Sequence, residues 1–347
     1  MQDYFEAVTG NATLLKRLRA ELVRDAVSHA YIIEGCRGSG KKTLAKQLVM
    51  ALACHNRGAD HGKVPCGICA ACRKIESDLC PDVALITRPA DKSEITVGMI
   101  RDLRASVPIV PNDLAFKVYI ISDAHTMNQQ AQNALLLTLE EPPPFVFFLL
   151  LTEDASALLE TIRSRAPTLR MQPVSNSEMR DHLLAEEREP TIKHAAQNLA
   201  TSSPEEFDAL LTAAGGAIGK ALELLDEKKR EPMLQNRALV TQLVTLLAAR
   251  TRGDELLLAL YALGNSRDEV GERLSLLQLA LRDLLLTGLD DSAPLLFFTD
   301  RQAALDLSER FTATRLYAMR DAIEAATDAL LENANLRLTL TRLFTSL

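Results

Sequence analysis

Residues 30–54, AYIIEGCRGSGKKTLAKQLVMALAC, join a short apolar run, a glycine-rich turn and a long stretch of helix formers. No other feature constrains the fold as much, because strand, glycine turn and helix in that order is the setting in which a G-x-x-x-x-G-K-[ST] loop holds phosphate. In that pattern the glycines let backbone N–H groups approach phosphate oxygens, the lysine neutralises charge, and the final hydroxyl binds magnesium. Gly35, Gly38, Gly40 and Lys41 keep the phosphate side, with a plain glycine turn as the alternative. Lys42 stands where Ser or Thr belongs, and Thr43 comes one residue late. The expectation is ATP held by Gly35, Gly38, Gly40, Lys41, Lys42 and Thr43 without efficient hydrolysis.

The next core strand bears on the same metal. An ATPase of this build places two carboxylates at that strand's end, one for magnesium and one to activate water. KVYIISDAH supplies Ser122 and Asp123, one carboxylate instead of two. Asp123 reads equally well as a helix cap or a surface acid. Lys42 and Ser122 both remove magnesium ligands, so the chain's own ATPase is expected to be weak or lost.

Around this juncture, apolar runs rich in branched residues (Lys117–Ser122, Phe145–Leu151) alternate with helical segments over Asn11–Val23, Val97–Val107, Asn128–Leu139 and ALLETIRSRA. Such alternation predicts an α/β domain with a mainly parallel sheet covered on both faces. From about Pro173 the strands stop. Ser203 with Glu206 reads as a capping box, and Gly215-Gly216 and DEKKREP as breaks around a small helical domain. Beyond Pro232 leucine-rich amphipathic helices run on. Leu316, Met319, Ile323, Ala326 and Leu330 have a 3-4 spacing that suits a bundle core, with a coiled-coil partner as the alternative. The expected domains are 1–172, 173–230 and 231–347.

Five of six cysteines fall between Cys54 and Cys80. Cys54, Cys66, Cys69 and Cys72 form C-x11-C-x2-C-x2-C, and four thiolates at such gaps suit a closed, structural tetrahedral zinc site within 54–72. The alternative is a set of reduced, buried thiols; His55 or His61 is weighed as a substitute ligand, and Cys80 as packing.

The net charge of −7 is uneven, with 20 basic against 19 acidic residues over 1–172 and 19 against 27 over 173–347. A chain that gripped DNA alone would show a basic excess, so any nucleic-acid role is shared with partners. The opening stretch MQDYFEAVTGNATLLKRLRAELV lacks a charged segment leading into an apolar run, so no signal peptide is expected. The apolar runs are also too short to span a bilayer, and the expectation is a soluble, cytoplasmic protein.

GCRGSGKKTLAKQLVMALAC, the cysteine segment, KVYIISDAHTMNQQAQNALLLTLEEPPPFVFFLLLTED and LLETIRSRA, in this order, resemble the bacterial clamp-loader subunits of the AAA+ class. Within DNA polymerase III the likeness is nearer to delta-prime than to the gamma/tau motor. The motor carries Lys-Thr where this chain has Lys41-Lys42, Asp-Glu where it has Ser122-Asp123, and a sensor arginine where GAIGKAL has Gly219. The resemblance implies an AAA+ P-loop domain with an inserted zinc module, a small helical lid and an all-α collar. It further implies a hetero-pentameric ring with delta and gamma/tau subunits, which places the sliding clamp on primed DNA within the polymerase holoenzyme. Ser164-Arg165 match the family's Ser-Arg-Cys segment, with Ala166 in place of Cys; the resemblance implies that Arg165 is an arginine finger offered in trans to a neighbour's ATP. Outside that context a Ser-Arg pair is a solvated turn. Two competing readings remain: an active gamma/tau-type ATPase with Thr43 serving the metal, and a zinc-stabilised interaction module.

Overall fold

The computed structural model describes residues 3–58, 62–89, 94–185, 189–250, 253–290 and 293–347. The chain forms two compact units, Met1–His182 with Gly216–Lys220, and Leu183–Gly215 with Ala221–Leu347.

The first unit contains strands β1 (Asp3–Tyr4), β2 (Ala30–Glu34), β3 (Lys63–Val64), β4 (Val83–Ile86), β5 (Lys117–Ile121), β6 (Val146–Thr152) and β7 (Thr168–Arg170). Its helices are α1 (Ala12–Val23), α2 (Lys41–Ala53), α3 (Ala70–Glu76), α4 (Val97–Ser106), α5 (Gln129–Glu140), α6 (Glu160–Arg163) and α7 (Asn176–Leu184). β1 and β3 pair as a small parallel ladder; the other five strands form one parallel sheet in the order β4-β5-β6-β2-β7. Parallel strands need helical crossovers, which cover both faces and explain why β2, β4, β5 and β6 are mostly apolar.

Successive side chains point to opposite faces, and the core divides accordingly. Tyr31, Ile33, Val118, Ile120, Leu149 and Leu151 join Leu18 of α1 and Leu44, Leu48 and Val49 of α2 in one cluster, which also takes in Cys54 and Cys72. Ala30, Ile32, Tyr119, Ile121, Phe148 and Leu150 join Ile100 and Leu103 of α4, Leu135 of α5 and Ile162 of α6 in the other. Each aliphatic side chain so buried contributes about 1.5–3 kcal/mol.

Asp82, 2% exposed, anchors a connection on this unit. Its carboxylate accepts backbone N–H groups of Asn112 (2.8 Å), Asp113 (2.6 Å) and Leu114 (2.9 Å). Several local expectations change. Asn128 serves as N-cap, its side chain accepting from the Ala131 amide at 2.9 Å, so α5 begins one residue later. Val23, read onto the apolar face, is 67% exposed at the last turn of α1. ALLETIRSRA forms only the four-residue α6, preceded by a single 3₁₀ turn at Ala155–Ala157.

The second unit is helical: α8 (Pro190–Ser202), α9 (Pro204–Ala214), most of α10 (Ile218–Leu224), α11 (Glu227–Ala248), α12 (Asp254–Tyr261), α13 (Arg267–Thr287), α14 (Arg301–Ser308), α15 (Ala313–Leu331) and α16 (Leu336–Ser346). Leu316, Met319, Ile323, Ala326 and Leu330 all lie in its core, as bundle packing requires. Gly215 and Gly216 take φ of 59° and 81° and end α9 as expected. The capping box does not form: the Ser203 side chain caps nothing, and Glu206 instead faces Arg230 at 3.4 Å. DEKKREP breaks the helices only at its first residue, Asp226, between α10 and α11. Asp226 accepts the Lys228 amide as N-cap and α11 runs on through Pro232, whose missing N–H frees only the carbonyl of exposed Lys228.

Among the described residues no helix is long and apolar enough to cross a membrane.

Candidate functional site

The four predicted cysteines converge. Cys54 caps the end of α2, Cys66 comes after β3, Cys69 is the N-cap of α3 and Cys72 lies in its first turn. Their sulfurs all lie within 4.8 Å of one another. A tetrahedral zinc with Zn–S of about 2.3 Å sets its ligands about 3.8 Å apart, so the cluster fits the ion with little movement. The amides of Cys66, Cys69 and Cys72 donate to the sulfurs of Cys54, Cys66 and Cys69, each at 3.4 Å. That ladder points N–H dipoles at sulfur, as bound thiolates need. Burial pushes the Cys69 thiol up, but the backbone N–H groups of Cys72 and His55 and the neighbouring Cys72 and Cys66 pull it down to about 6. Burial raises the Cys54 and Cys72 thiols. None of the six cysteines is in a disulfide. His55 acts through its backbone, and Cys80 is buried outside the cluster; His61 lies outside the described residues.

The phosphate loop connects β2 to α2 as the spacing predicts. Gly38 and Gly40 adopt φ of 79° and 91°, values that favour glycine. A Cβ on Gly35 would lie 2.6 Å from the Ser39 oxygen. Lys41 donates to the carbonyls of Gly35 (2.6 Å) and Cys36 (2.9 Å). Burial pulls its ammonium below the ordinary value, opposed by the charges of Glu153 and Asp123. No side chain caps α2, so its first-turn amides suit an anion, and nucleotide phosphates fit the loop on that ground. Ser39 Oγ is buried with no hydrogen-bond partner among the described residues. Lys42 and Thr43 are exposed at the start of α2.

The other side of the loop carries a contact that no local pattern announces. Gly219, second residue of α10, donates its N–H to the Gly38 carbonyl at 2.8 Å. A Cβ on Gly219 would lie 2.9 Å from Gly38 Cα, and one on Gly38 2.9 Å from the Lys220 nitrogen. Two glycine backbones therefore touch here.

At the end of β5, Ser122 and Asp123 are half-buried. Asp123 takes φ of 53° and its side chain caps nothing, which removes the capping alternative. Glu153, just past β6, is the second acid near Lys41, and reasoning from the sequence passes over it. The available signal is its place directly after an apolar strand, in LLLTED.

Arg165 is elsewhere. It lies between α6 and β7, at the start of the parallel sheet, whereas the loop leaves the end of β2. The five residues of β2 alone span roughly 17 Å, more than an arginine side chain reaches. Arg165 Nη2 pairs with Glu140 Oε1 at 2.8 Å; Nη1 donates to the Thr161 carbonyl at 2.9 Å and to Ser164 Oγ at 3.3 Å. Ser164 is exposed and Ala166 wholly buried, so residue 166 packs inward. Glu140, too, escapes a reading of the sequence, because the ion pair joins segments distant in the chain.

Residues 10–175 match the family described as DNA polymerase III, delta subunit. The tau subunit of DNA polymerase III from Bacillus subtilis (strain 168) is 32% identical over 225 residues, covering 64% of this chain and 37% of tau. The delta' subunit from the same organism is 33% identical over 192 residues, covering 55% of this chain and 56% of its own. The matched region thus spans little more than a third of the tau relative and just over half of the delta' relative. A gamma subunit-related protein from Thermotoga maritima aligns with a TM-score of 0.48 at 16% identity, over 96% of this chain and 97% of its own. By the family match and the two Bacillus relatives, residues 10–175, just under half of the chain, belong to the DNA polymerase III clamp-loader family.

Proposed function

We propose that this chain is the delta-prime-type member of a clamp loader: a largely stationary subunit that completes a neighbour's ATP site with Arg165 while turning over little ATP itself. The observation that carries this reading is the placement of Arg165 at the opposite end of the sheet from the chain's own loop. That position keeps it away from this chain's own loop, which supports a role toward a nucleotide held by another subunit. A guanidinium set against a transferring phosphate stabilises the charge that develops there and is worth roughly 10³-fold or more in rate.

The loop's own features support the other half. Lys42 and Ser122 stand where magnesium ligands are expected, and Gly219 occupies the position that the motor subunits give to a sensor arginine. Its contact with Gly38 leaves no room for any side chain there without backbone movement. Gly35, Gly38, Gly40 and Lys41 would hold the phosphates of ATP, whose bound form supplies affinity rather than chemistry in this subunit. Cys54, Cys66, Cys69 and Cys72 would hold zinc, tying the end of α2 to α3. The chain divides into a nucleotide-fold part (1–172), a lid (173–230) and a collar (231–347), and assembles with delta and gamma/tau subunits to act on the sliding clamp and primed DNA.

Arg165→Ala, assembled with the other loader subunits of the same organism, tests this reading. DNA-stimulated ATP turnover should fall while assembly is unchanged; full turnover in that complex would contradict it.

A further inference from the structure

Building on that role for Arg165, we propose that Glu140 is a positioning residue: it holds the guanidinium on its own subunit until a neighbour's nucleoside triphosphate draws it away. Arg165 is committed on this chain's surface, with Nη2 on Glu140 at 2.8 Å and Nη1 on Thr161 and Ser164. An arginine meant only to be held out toward a partner has no need of a carboxylate that neutralises part of its charge.

Glu140 is also in a place that local chemistry disfavours. It is the last residue of α5, with Glu141 and three prolines directly after it. The unpaired carbonyls at a helix C-terminus already carry partial negative charge, and cations are favoured there. A carboxylate at that point is stabilised by the guanidinium facing it, and a residue that breaks a local rule marks a place where something other than helix stability is served.

The pair is built to be broken. The side chains of Arg165 and Glu140 are 34% and 45% exposed, so water screens their attraction. A triphosphate carries several negative charges against the single charge of Glu140, whereas a diphosphate carries fewer. Arg165 therefore leaves Glu140 for a triphosphate and returns after hydrolysis. Thr161 and Ser164 engage the other nitrogen, so they can keep the arginine oriented during the exchange.

The test measures phosphate release against ATP concentration, without DNA, by the loader assembled with its other subunits. Glu140→Gln and Glu140→Ala should raise turnover about two- to fivefold, the range a solvent-screened ion pair allows, and lower the ATP concentration needed for half-saturation. Glu140→Asp, which keeps the charge, should restore most of the restraint. Thermal unfolding of the free subunit should be the same for Glu140→Gln and wild type. If Arg165→Ala depresses turnover but both neutral Glu140 variants stay at or below wild type, the holding role is overturned and the finger reading stands. If Arg165→Ala turns over like wild type, the finger reading falls and this proposal with it.

Discussion

Gly219 donates its amide hydrogen to the carbonyl of Gly38, and no side chain fits at either position without moving backbone. The contact presses the start of α10 against the phosphate loop. Gly219→Ala should therefore destabilise the protein. Replacing glycine by alanine in a helix gains at most about 1 kcal/mol, whereas forcing atoms into a packed contact costs about 1–3 kcal/mol. Chemical denaturation of the two proteins checks this, and an alanine variant more stable than wild type would show that the two backbones are not held together.

The cluster of Cys54, Cys66, Cys69 and Cys72 makes a separate prediction. Protein purified without added metal should contain about one zinc per chain, and Cys69→Ser should lose it together with stability, since closure of the cluster joins α2 to α3. Cys80→Ser should keep its zinc, because Cys80 lies outside the cluster. Elemental analysis of the three proteins decides the matter; a metal-free wild type that unfolds normally would contradict it.

A pH dependence is expected from Asp82. Burial pushes its carboxyl up, but the three backbone N–H groups of residues 112–114 more than offset this and hold it below the usual value. A carboxyl depressed in the folded state stabilises the protein above its unfolded value of about 3.9, and the contribution is lost as pH falls through the folded value. Asp82→Asn should thus cost about 1–3 kcal/mol at neutral pH, and the two proteins should converge in stability below about pH 4. Unfolding measured at several pH values checks both parts.

What can be read from the chain is local. The glycine loop and the cysteine knuckle each put their groups within a few turns of backbone, so residue spacing alone brings Gly38, Gly40 and Lys41, or Cys66, Cys69 and Cys72, together. The alternation of apolar strands with helices likewise exposes the parallel sheet. What escapes depends on tertiary pairing. Glu140 meets Arg165, Glu206 meets Arg230 instead of its capping partner, and Gly219 meets Gly38, each across segments that lie apart in the chain. DEKKREP misleads for a related reason: a charged, proline-bearing stretch resembles a linker, but an aspartate cap at Asp226 and the buried face beyond it hold the same residues in a helix.

On the proposed function, this chain lends a guanidinium to a neighbour and hydrolyses little ATP through its own loop. The most direct test is steady-state phosphate release by the purified, isolated chain supplied with Mg-ATP. The expected rate is indistinguishable from that of Lys41→Ala; sustained release that disappears in Lys41→Ala would contradict the proposed function.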